Sequence, residues 1–197
     1  MIMRERLAKL ASNILNPFLV SVVVIVVLAF QTASSTADAV KWVLIAIALS
    51  VLPVFIAVIY LVHRKRMDGF FANPREQRND VYILASVLGA IGCGILWYVK
   101  APELLTVSFT AGLISIVIFM AINRFWKISL HTAFTAASVA VLIIVYGATA
   151  AWTCVFLPLV GWARIELKQH SFTQVIVGGL LAVTIVSGVF WGFGLVG

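Results

Sequence analysis

The chain predicts an all-α integral membrane protein, a bundle of six to seven transmembrane helices. Three observations predict it. Of 197 residues, 63% are hydrophobic and only 11% are charged, too few charges to cover a soluble protein of this length. The mean hydropathy is +1.13. The apolar residues run continuously instead of alternating, as spanning helices require and barrel strands do not.

Seven apolar segments follow in order, at roughly 14–31, 41–62, 81–99, 104–122, 131–147, 149–165 and 171–195. The first lacks a small-residue cleavage site and is followed by further spans, so it reads as a retained helix. Pro17 and Pro53 lie inside the first two segments, where neighbouring helices can satisfy the backbone groups they release. The fifth and sixth are short and joined tightly near Gly147, so one of them is expected to be tilted or partly buried in the bundle. The six tryptophans, at 42, 97, 126, 152, 162 and 191, fall near segment ends, where interface anchors belong. Cys93 and Cys154 lie inside apolar segments and read as small buried hydrophobes. There is no repeat and no separate soluble domain. Residues 1–197 read as one membrane-embedded domain, with its polar motifs in the stretch from about 64 to 190.

The charges predict the topology. With seven spans, one side carries 12 of the 14 Lys and Arg, and only Lys41 and Lys100 lie opposite. Basic loops favour the cytoplasm, which puts the N-terminus inside and the C-terminus outside. The net charge of +7 points to membrane-surface or anionic-ligand contact. Scattered over short loops, these charges do not make a nucleic-acid surface.

Three polar knots share the basic side. In the last, Arg164 to Gln174, a helix starting near Ser171 would stack His170 and Gln174 four residues apart. The glutamine carbonyl would then accept the His170 Nδ1–H and leave Nε2 as the nucleophile or base. Arg164 would clamp phosphate oxygens. The competing reading is an interfacial cluster that snorkels and orients the helix. In the middle knot, Ser129 and His131 lie at a predicted helix N-terminus beside Lys127, a place that favours an anion. His131 would protonate a leaving oxygen; equally, Ser129 would be an N-cap and His131 an interface residue. In the first knot, Arg64, Lys65 and Arg66 read as a topology stop. Arg75 and Arg78 lie beyond it and would close a phosphate cage, or else pair with Glu76 or Asp80 in solvent.

The order of these knots resembles the type 2 phosphatidic acid phosphatase superfamily, which includes vanadium haloperoxidases. Its motifs are K-x6-R-P, P-S-G-H and S-R-x5-H-x3-D. Here the third reads Ala163-Arg164, five residues, His170, three residues, Gln174. The second survives as Ile128-Ser129-Leu130-His131, and the first is degraded, with Phe71 in place of lysine and Asn79 after Arg78. The strings K-I-S-L-H and W-A-R-x-x-L-x-x-H-x-x-x-Q look like a divergent prokaryotic branch, which implies a prokaryotic inner membrane. The resemblance implies His170 as the nucleophile that forms a phosphohistidine and His131 as the general acid. It implies Arg164, Ser129, Lys127, Arg78 and Arg75 as the phosphate-binding set, and hydrolysis with no metal or other cofactor. Gln174 stands where the family has aspartate. A neutral amide orients the histidine without stabilising its positive charge.

The expected function is therefore an integral-membrane phosphatase acting on a lipid phosphate or diphosphate, such as an isoprenyl diphosphate or phosphatidic acid, at the cytoplasmic face. The alternatives are a catalytically impaired relative that binds or carries a phosphorylated lipid, and a small transporter or assembly factor whose charges only set topology. The expected partners are the lipid substrate and membrane lipids, with no nucleic acid.

Overall fold

The computed structural model describes residues 2–71 and 74–196. Among these residues there are nine α-helices, one 3-10 segment and no strand, the all-α membrane architecture that the composition predicts. The helices are α1 (Ile2–Ile14), α2 (Pro17–Thr32), α3 (Thr36–Leu49), α4 (Val51–His63), α5 (Arg78–Tyr98), α6 (Glu103–Asn123), α7 (Leu130–Tyr146), α8 (Phe156–Glu166) and α9 (Phe172–Gly192). The 3-10 segment, Gly147–Val155, joins α7 to α8. The chain divides into two compact units, Met1–Val24 with Trp126–Gly197, and Ile25–Phe125.

In the first unit, the predicted first segment is preceded by a charged helix that the apolar pattern did not announce. Asn16 separates α1 from α2. Its Oδ1 accepts from the Phe18 and Leu19 backbone N–H groups at 2.9 and 3.1 Å, which caps α2. Pro17 then takes the first helical position, where its missing N–H costs nothing. The two helices meet at a bend of 44°.

The predicted fifth and sixth segments form a single helical stretch, Leu130–Glu166, 37 residues long. A straight helix of that length would reach about 55 Å, nearly twice the hydrocarbon thickness. Gly147 breaks it. Its φ of 62° and ψ of −145° lie in a region open essentially to glycine alone, and there the chain reverses so that α8 packs back against α7. The outward limb, α7, runs about 25 Å. The return limb combines nine 3-10 residues with the eleven of α8 and covers about 34 Å, because a 3-10 turn rises further per residue. Among the described residues five helical stretches are long and apolar enough to cross a membrane, six with the bent α1–α2 pair. The expected count was six to seven, and the difference comes from Leu130–Glu166, which the apolar pattern divides in two and which forms one helical stretch.

The α7–α9 contact holds this unit together, and small residues make it close. A side chain on Gly178 would meet Ile128 Cγ2 at 2.9 Å and the Ser129 carbonyl oxygen at 3.1 Å. With no hydrophobic drive between helices in lipid, such close backbone approach supplies the dispersion contacts that hold them.

In the second unit, α3 and α4 part at Ser50, whose hydroxyl donates to the Ala46 carbonyl at 2.7 Å; Pro53 follows two residues into α4. Buried Asn123 fastens the end of α6 to the start of α5, donating to Asn79 Oδ1 at 3.1 Å and to the Arg75 carbonyl at 3.2 Å.

Candidate functional site

Two of the three polar knots meet within the first unit, and local capping chemistry explains how. Ser129 caps α7 and is fully buried; its Oγ pairs with Thr132 Oγ1 at 2.9 Å. Ser171 caps α9 in a reciprocal box with Gln174, the arrangement in which cap and third residue satisfy each other's N–H groups. Between these caps, α8 ends in a left-handed turn at Lys168, with φ 54°. The Lys168 N–H donates to Ile165 O at 2.9 Å and the Gln169 N–H to Arg164 O at 3.1 Å, the paired bonds of a Schellman stop. His170 N–H also reaches Arg164 O, at 3.3 Å. Six residues apart in sequence, Arg164 and His170 are thus joined through the backbone.

The middle knot is tied to this turn. Lys127 Nζ donates to the Gln169 carbonyl at 2.9 Å, and the Ser129 N–H points at the Gln174 carbonyl at 3.4 Å. His131, in the first turn of α7, is buried, as are Arg164 and His170. Three such side chains at one end of an apolar bundle carry a large desolvation cost unless anionic or polar groups meet them.

The hydrogen bonds of Gln174 place a proton on one ring nitrogen of His170. Gln174 Oε1 accepts the Ser171 backbone N–H at 3.2 Å, and a backbone N–H can only donate. The amide atom facing it is therefore the oxygen. That same oxygen lies 3.1 Å from His170 Nδ1, so Nδ1 carries a proton, and whenever the ring is neutral its lone pair is on Nε2. This is the tautomer expected from the spacing, and the one a nucleophilic imidazole needs.

Arg164 has a partner that the motif did not name. Its Nη1 donates to Ser12 Oγ on α1 at 2.8 Å, and Arg4 of α1 pairs with Glu166 at 3.0 Å. Ser12 and the rest of α1 were missed because their contacts lie more than 150 positions away in sequence, beyond any periodicity. Lys168 was missed because glycine, not lysine, signals a left-handed stop.

The first knot belongs to the second unit. There Arg75 Nε lies 3.5 Å from Glu76 in an exposed pair, the pairing weighed against phosphate contact. Arg78 is buried at the start of α5. Compared with family models, with curated proteins and with solved structures, the chain returned no match.

Proposed function

We propose that the protein is an integral-membrane phosphatase that releases phosphate from a phosphorylated lipid, working from the cytoplasmic face. The observation that carries this reading is the His170 Nδ1 contact with Gln174 Oε1, on a turn whose backbone also joins His170 to buried Arg164. In the step proposed, the Nε2 lone pair attacks phosphorus and the bond to the lipid oxygen breaks. His131 delivers a proton to that oxygen. Water, giving a proton to the now deprotonated His131, then attacks the phosphohistidine; the P–N bond breaks, its electron pair returns to Nε2 and inorganic phosphate leaves. Arg164 and Lys127 supply positive charge where the phosphoryl oxygens gather it. The test is phosphate release from a panel of phosphatidic acid, isoprenyl diphosphate and phosphatidylglycerol phosphate in proteoliposomes. Release from at least one supports the reading, and binding with no release from any of them opposes it.

One observation favours a second reading, a binder of phosphorylated lipid without turnover. Gln174 is neutral, and a neutral amide orients the imidazole without stabilising the imidazolium that forms on attack. Gln174→Glu separates the two readings. Glutamate has the same length and serves equally in a capping box. In an active enzyme it should raise turnover at least about tenfold, since loss of the corresponding charge in a triad costs about ten-thousandfold. A protein that binds but releases nothing before and after the change is a binder.

The orientation rests on the basic loops. An epitope tag at the N-terminus should resist protease added to intact cells, while one at the C-terminus should be cut; digestion of the N-terminal tag would invert the assignment.

A further inference from the structure

We propose that α1 is an in-plane helix lying along the anionic surface of the bilayer, with its inner face closed on the end of α8. Four apolar residues of α1, Met3, Leu7, Leu10 and Ile14, are each more than half exposed. Their spacing of four, three and four places them in one stripe down the helix. On the opposite side Ala8 and Ser12 are buried, and Ser12 receives Arg164. One face of α1 is therefore partnered by protein and the other is a continuous greasy edge with nothing of this unit upon it.

The charges say what covers that edge. Arg4, Arg6 and Lys9 against Glu5 leave α1 with two net positive charges in 13 residues. Lys9 lies 2.8 Å from Glu5 in an exposed pair, worth little energetically and still cationic toward its surroundings. Such a charge density is costly at bilayer depth. An apolar stripe flanked by exposed cations is instead the pattern of an interfacial helix, seated by acyl contact and by attraction to anionic headgroups. The fold agrees. The Asn16–Pro17 cap makes α1 a helix separate from α2. The 16 residues of α2 contain no charge and run about 24 Å, enough to enter the hydrocarbon without α1. Seating α1 on the lipid surface would hold Ser12 against Arg164, so the membrane contact also positions a buried cation.

The experiment places single cysteines at Met3, Leu7, Leu10 and Ile14 in the full chain with Cys93 and Cys154 replaced by alanine. Each is labelled with an environment-sensitive fluorophore. Depth is read by quenching from nitroxide lipids in vesicles of phosphatidylcholine with or without phosphatidylglycerol. All four labels should report one shallow depth, and quenching should strengthen when phosphatidylglycerol is present. The double change Arg6→Gln with Lys9→Gln should remove that strengthening while leaving the fold intact. Depths that change by about 16 Å between positions 3 and 14 would mean that α1 crosses the membrane and would overturn the proposal. Labels shielded from lipid quenchers would overturn it too, since the stripe would then be covered by protein, such as a second copy of this chain. Quenching indifferent to phosphatidylglycerol in the parent would refute the anionic preference.

Discussion

Replacing His170 with alanine is expected to bring phosphate release down to that of empty vesicles, a fall of at least about a thousandfold. The physical reason is specific to one atom. The Ser171 N–H orients the Gln174 amide, the amide oxygen holds the proton on Nδ1, and the lone pair is thereby assigned to Nε2. In the proposed mechanism Arg164 and Lys127 are cations, Ser129 is committed to its cap and His131 is the proton donor, so none of them takes over that role. The substitution removes the bond to Gln174 and leaves a gap at a buried position, so the thermal midpoint of the variant in detergent is measured beside its activity to show that it is folded. A parallel measurement makes the result decisive. Incubation with a released lipid phosphate and acid-free quenching should trap phosphate on the parent protein and none on the variant. Undiminished release from the variant would sink the mechanism outright, whatever the phosphate source.

A second large effect is expected at Gly178. Leucine there would push its Cβ against Ile128 Cγ2 and the Ser129 carbonyl, at 2.9 and 3.1 Å. The isoleucine methyl can rotate away, but a backbone oxygen at a helix start cannot, so α9 must retreat from α7. Overpacking of this kind costs about 1–3 kcal/mol. Here it would also pull the Ser129 N–H from the Gln174 carbonyl, parting the two halves of the site. The thermal midpoint in detergent should fall by several degrees, and lipid-phosphate binding should fall with it. Gly188 is the control: ten residues along the same helix, nothing lies within 4 Å of an added Cβ. Leucine at 188 should be neutral or mildly stabilising, since glycine is a poor helix former. Equal losses at the two positions would mean that the α7–α9 approach does not hold this unit together.

These two residues differ in how legible they were. The His170–Gln174 bond was readable because it is local: four positions apart at a helix start, with Ser171 supplying the cap. The same holds for Ser129, where the cap foreseen beside the anion-binding reading is the contact observed. Gly178 carried no such signal. One glycine among 13 is conspicuous only when its neighbour across the helix interface is known. Helix α1 escaped because a search for apolar runs passes over a segment with four charges in 13 residues, although its stripe at 3, 7, 10 and 14 was present in the chain. The break at Ser50 escaped because the apolar run continues straight through it.

The amino-acid order alone determined that this protein lives in a membrane, that it does so as helices, and where most of those helices begin and end. Transfer of apolar side chains from water is close to a sum over residues, and capping and periodicity act within one or two turns, so both can be read along the chain. Tertiary structure decided the rest. It reversed the Leu130–Glu166 stretch at a single glycine, set α7 against α9 at backbone distance, and gave Arg164 its partner on a helix at the far end of the chain. Those outcomes depend on which surfaces meet, and that is a property of the folded packing that no local stretch of sequence contains.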